Sequence, residues 1–121
     1  MTEQELQQVM IRYRPLGLEK GAEFLLNTAD MLRLVDDLQQ VGAVFLGGTS
    51  WKYIKPGDND WIMEDIEHEF DVDESVLGQS DSSAITAEQV KSAILNLPDT
   101  VDFVTIYMDV PVSWDYFGDG K

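Results

Sequence analysis

The chain lacks cysteine, carries one histidine, and has only 8 lysines and arginines in 121 residues. Each shortage removes a class of chemistry. Without cysteine there is no disulfide, no thiolate metal site and no sulfur nucleophile. Such a chain suits a reducing compartment, and a cytoplasmic location is the expectation. With 8 bases against 23 acids the formal net charge is −15. That balance argues against direct nucleic-acid binding, where lysine and arginine neutralise phosphates. It equally disfavours anionic membrane surfaces. No apolar run approaches the ~18 residues that span a bilayer. The opening MTEQELQQVM is polar and acidic, unlike a secretory signal.

Several motifs are missing too. Neither G-x-x-x-x-G-K-[ST] nor G-x-G-x-x-G occurs, and there is no G-x-S-x-G elbow. Gly47-Gly48-Thr49-Ser50 is the nearest thing to a reactive loop, and a tight turn is its simpler reading. A triad of Ser50, His68 and an aspartate can be drawn only on paper. His68 sits among carboxylates, which favour the charged imidazolium, a poor base and a poor metal ligand. Calcium-loop spacing fails from both Asp58 and Asp71, because the obligatory glycine falls on Met63 or Val76. Asp65-x-x-His68 is a single copy of a motif that di-iron sites need twice. No cofactor, no metal and no catalytic residue is expected.

What the chain does have is acid, unevenly placed. Residues 1–57 carry seven acids and six bases, a net of −1. Residues 58–121 carry sixteen acids against Lys91 and Lys121, a net of −14. The peak is the segment 58–74, which holds Asp58, Asp60, Glu64, Asp65, Glu67, Glu69, Asp71, Asp73 and Glu74 and no base. Like charges at that density repel, so a cationic partner is the natural counterpart. Aromatic residues could supply desolvated anchors beside the acids. Trp61 and Phe70 flank the segment, although both suit the core. The tail 112–121 offers Trp114 and Tyr116 around Asp115. The expected partner-binding set is Asp58, Asp60, Trp61, Glu64, Asp65, Glu67, Glu69, Asp71, Asp73, Trp114, Asp115 and Tyr116.

Periodicity organises the rest. Thr2 and Glu5 make a capping box before the helical stripe Leu6, Val9, Met10 and Tyr13, and Pro15 and Gly17 end that helix. Residues 22–27 fit a short strand or the lead-in to the next helix. Thr28 caps a second helix with the stripe Met31, Leu34, Val35, Leu38 and Val41, stopped by Gly42. Residues 43–46 and 49–54 read as a hairpin around Gly47-Gly48. Residues 61–70 fit either a helix or a strand in which Ile66, His68, Phe70 and Val72 alternate with acids. The helix is preferred because Glu and Asp are depleted in strands. Residues 75–85 read as loop. Thr86 and Gln89 repeat the capping box before Val90, Ala93, Ile94 and Leu97, and Pro98 ends this helix. Residues 101–110 form the clearest strand, apolar enough to sit at the centre of a sheet. Helix followed by strand occurs twice, at 29–46 and at 87–110.

DIEHEFDVDES, residues 65–75, looks like the acidic helix-to-loop stretch of acyl carrier proteins. The likeness covers this stretch alone. The D-S-L attachment serine has no counterpart, and the strand at 101–110 has no place in that all-helical fold. In size, acidity and lack of catalytic residues the chain also resembles bacterial toxin-immunity proteins.

The expected fold is α+β, a single domain over 1–121 with a mainly antiparallel sheet of roughly three to four strands and helices packed on one face. The expected core is Leu34, Leu38, Val44, Leu46, Val90, Ile94, Leu97, Val104, Ile106 and Met108. The expected function is a non-enzymatic acidic binding protein that neutralises a basic protein, such as an immunity or inhibitor protein over the cationic site of a toxin or nuclease. A small acidic chaperone or adaptor for a secreted partner is the alternative, and a ligand-binding domain or enzyme the third. Oligomeric state is not legible.

Overall fold

Three helices and five strands make up a computed structural model over the described residues 3–20, 23–54 and 61–109. Helix α1 spans Glu3–Tyr13, and a 3-10 turn at Arg14–Leu16 leads into β1, Leu18–Lys20. Then follow β2 (Glu23–Leu25), α2 (Thr28–Gln40), β3 (Phe45–Ile54) and β4 (Trp61–Asp71). A 3-10 turn at Glu74–Val76 precedes α3, Ser82–Leu95, and β5 is Phe103–Met108. Strands β1 and β2 form a small antiparallel ribbon. The main sheet has the order β4-β3-β5, antiparallel throughout. Leu26, just past β2, bridges Val104 through paired backbone hydrogen bonds of 2.7 and 3.1 Å, so the ribbon continues the sheet beyond β5. The fold is α+β with helices packed against an antiparallel sheet.

The core lies between that sheet and the helices. Met31, Leu34, Val35 and Leu38 of α2 and Ala87, Val90 and Ile94 of α3 meet Phe45, Val104, Ile106 and Met108. Helix α1 adds its whole stripe, Leu6, Val9, Met10 and Tyr13, all buried. Of the expected core, Val44, Leu46 and Leu97 are only half-buried. Pairing of Phe45 with Met108 sets the parity of β3, so Phe45 turns inward and its neighbours do not. Among the described residues no helix is long and apolar enough to cross a membrane.

Four expectations need correction. Gly47-Gly48 is no hairpin turn: β3 runs straight through it. Both glycines lie where neighbouring strands crowd β3. A Cβ on Gly48 would come within 2.5 Å of the Phe70 ring and of the Thr105 carbonyl oxygen. Gly47 has φ 152° at a β-bulge, and a Cβ there would lie 2.3 Å from the Phe70 carbonyl oxygen. Residues 61–71 are strand rather than helix. His68 and Phe70 are half-buried and Val72 buried, while Glu69, Asp71 and Asp73 are exposed. Pairing with β3 and this period of two outweigh the poor strand propensity of the acids. The central strand is β3, with a ladder on each side, and β5 lies beside it.

The last correction concerns helix starts. Asn27, not Thr28, caps α2, its Oδ1 accepting from the Asp30 N–H at 2.7 Å. Helix α3 begins a full turn before Thr86. Thr86 is instead buried inside it, donating to the Ser82 carbonyl at 2.7 Å and accepting from the Phe45 N–H at 3.0 Å. Ser83 donates to the Ala43 carbonyl at 2.6 Å. Two hydroxyls on α3 thus satisfy backbone groups around the entry to β3, a tertiary duty that imitates a cap in sequence. Gly42, at φ 90°, does end α2 as expected. The helix-then-strand order recurs as α2–β3 and α3–β5.

Tyr13 fastens α1 to α2 by donating to the Asp37 carboxylate, which Arg12 approaches at 3.8 Å. Burial, then that hydrogen bond and the negative charge of Asp37, hold the Tyr13 phenol above its ordinary pKa of 10.0. A raised folded-state pKa means stability that is complete below the ordinary value and lost as pH rises through the raised one. Urea titrations across that alkaline range should show the loss in the parent protein and a flatter profile in Tyr13→Phe. Below it, Tyr13→Phe should be less stable by about 1–2 kcal/mol. Gly47→Ala should cost about 2–4 kcal/mol in the same assay, combining strained φ with displaced β4. A cost under about 1 kcal/mol would mean that β4 can simply move aside.

Candidate functional site

The acids from Glu64 to Asp71 fall on the strand at one edge of the main sheet. Strand β4 pairs with β3 on one side, and no strand lies on its other side among the described residues. Trp61, Glu64, Asp65 and Glu67 fall on β4, with Trp61 opposite Ile54, Glu64 opposite Trp51 and Asp65 opposite Ser50. Glu69 and Asp71, farther along, are exposed. The register then breaks. Gly48 pairs with Phe70 and Ser50 with Asp65, so residues 66–69 of β4 stand opposite Thr49 alone. This bulged irregularity in the ladder carries Glu67, His68 and Glu69. Asp58, Asp60, Trp114, Asp115 and Tyr116 lie outside the described residues.

Asp73 has a local task. Its Oδ1 accepts the Ser75 N–H at 3.0 Å and caps the 3-10 turn after β4. Bonds from the Ser75 backbone and side chain hold its carboxyl below the ordinary value of 3.8. Its own N–H donates to Gln89 Oε1 at 2.9 Å, tying the end of β4 to α3. Gln89, read in sequence as half of a capping box, is the other half of that tie.

That tie floors an open groove of about 650 Å³ between the end of β4 and the outer side of α3. Asp71 and Asp73 line one wall, Glu88, Ser92 and Asn96 the other, and no lysine or arginine contributes. Sequence reasoning missed Glu88, Ser92 and Asn96. Their spacing of four marks one helix face, but only tertiary packing sets that face against β4. Among the described residues no three of His, Asp and Glu group closely enough to hold a metal ion. The carboxylates are spread along an edge and a groove instead.

Among the described residues, bases are few near these acids. Lys91, the first base after Lys55, reaches the Asp36 carboxylate on α2 at 2.6 Å. Lys52, opposite Met63, is the base that the described register sets beside β4. Alternate strand residues are about 6.7 Å apart, inside a Debye length of about 8 Å. Repulsion of order 0.5 kcal/mol per exposed pair therefore persists at physiological salt. Ser50, once a candidate nucleophile, is fully buried in the central strand, as is Thr49. Comparison with protein-family models, curated proteins and solved structures finds no match for this chain.

The Asp73 cap makes a pH-dependent contribution. A lowered folded-state pKa gives stability that is present above the ordinary aspartate value and lost as pH falls through the folded one. A carboxyl-detected NMR titration should place the Asp73 midpoint below 3.8. A midpoint at or above that value would show that the Ser75 bonds do not form.

Proposed function

We propose that this protein is a non-enzymatic binding protein that neutralises a basic protein partner, most concretely an immunity or inhibitor protein covering the cationic site of a toxin or nuclease. The observation that carries the reading is the acidic rim formed by β4 and the groove beside α3. Residues 61–90 include no lysine or arginine, and Lys91 is turned to Asp36. Strand β4 and the α3 groove gather acids from both sides of the 3-10 turn onto one border of the molecule. A cationic surface arriving there relieves repulsion that the free protein bears, and long-range attraction speeds its approach.

A second reading has an observation of its own. Charges and bulges on an edge strand are how proteins keep copies of themselves from pairing edge to edge. Strand β4 has both. On this reading the acids act against self-association, and their neutral amide counterparts would produce dimers.

Capture from native lysate, eluted along a salt gradient, separates the two. The parent protein should retain a basic protein that leaves as salt rises. Reversal of Glu64, Glu67 and Glu69 to lysine should abolish retention and flatten the salt dependence. Equal retention by that triple variant would remove β4 from the interface.

A further inference from the structure

The rim has two features that charge alone does not supply. One is a backbone edge. From Trp61 to Asp65 the ladder of β4 with β3 is unbroken, and the opposite edge has no strand among the described residues. Alternate residues of an edge strand point N–H and C=O outward, ready to pair with another extended chain. The other is the groove at the far end, where Asp71 and Asp73 face Glu88, Ser92 and Asn96. The two lie on the same border, since α3 packs against β3 and β4 while α2 packs against β5.

The geometry points to strand addition: an extended, lysine- or arginine-bearing segment of the partner pairs with the β4 edge at 61–65 and places a cationic side chain in the groove beside α3. This rests on the basic-partner reading above and specifies how such a partner is held. Charge complementarity selects the occupant. A second copy of this chain would bring its own Glu64 and Asp65 to the short edge that already holds Glu64 and Asp65, and like charges across a strand pair destabilise it. A cationic strand places opposite charges in those positions. The bulge at 66–69 limits how far pairing can run, so the ladder supplies a short anchor and the groove a second contact. Spread carboxylates suit the groove to a guanidinium or ammonium on a chain, because they are not grouped to ligate a metal ion. The span from Ile54 to Gly47 along β3, at about 3.3 Å per residue, is one that a segment of about ten residues covers.

The probe is a synthetic peptide of about ten residues alternating lysine with threonine, a length within ordinary strand range. Its counterpart is methylated on alternate backbone nitrogens, which keeps the charge and removes the ladder donors. Calorimetry on the full chain should show the first peptide binding and the second at least about tenfold weaker. Amide exchange should slow at 61–65 in the presence of the first. Glu88→Lys, an exposed change on α3, should weaken the first peptide several-fold and leave thermal unfolding unchanged. Equal binding of both peptides, with strong salt dependence, would overturn strand addition while leaving a basic partner in place. Failure of the first peptide to bind would overturn it as well, with the lysate capture still deciding the wider reading. Slowed exchange at 61–65 with rising protein concentration and no peptide would assign the edge to a second copy and overturn the proposal.

Discussion

The close approach of three strands at Gly47 and Gly48 is the constraint on which the rest of the structure depends. Strand β3 is flanked on both sides, and at these residues there is no room for a Cβ against the Phe70 ring, the Phe70 carbonyl or the Thr105 carbonyl. Because the glycines let β3 pass straight through, β4 can lie along one side and β5 along the other. Phe70 then covers Gly48 and joins the core, and Val72 follows it inward. The same parity turns Glu69, Asp71 and Asp73 outward. The acidic rim is thus a consequence of how the central strand is packed.

Ties between helix and strand hold that arrangement in place. Thr86 and Ser83 satisfy backbone groups of Phe45 and Ala43, fixing α3 against the entry to β3. Gln89 receives the Asp73 N–H, fixing the exit from β4 against the same helix. Helix α3 therefore touches both ends of the path that carries the acids. Its exposed residues Glu88, Ser92 and Asn96 enter the groove without belonging to the acidic segment. Lys91 faces the other way, toward Asp36, and its charge contributes to helix packing rather than to the rim.

Much of the fold was legible where one periodicity had no rival. The stripe of α1 and that of α2 from Met31 to Leu38 are buried as their spacing of three and four requires, and the strand 103–108 lies within the 101–110 read as strand. Legibility failed where a residue type serves two purposes. Gly-Gly is a turn signal and also the only pair that fits a crowded strand centre. Threonine followed by glutamine three residues on is a capping box and also, at Thr86 and Gln89, two separate tertiary hydrogen bonds. Acid-rich sequence is poor strand material in isolation, yet β4 forms because β3 presents a ladder and a hydrophobic floor for Phe70. Part of the candidate site was visible as charge. Its groove was not, because Asp71 and Glu88 are brought together by packing.

The sequence by itself determined the α+β class, the lack of thiol chemistry, the sign of the surface and the half of the chain that carries it. These follow from composition and short-range periodicity, which need no long-range contact. Tertiary structure alone decided that residues 61–71 are, among the described residues, an edge strand, that this strand adjoins a groove on α3, and that Lys91 turns to Asp36. Each of these depends on pairing between segments far apart in the chain, where packing parity and hydrogen-bond satisfaction outweigh local preference.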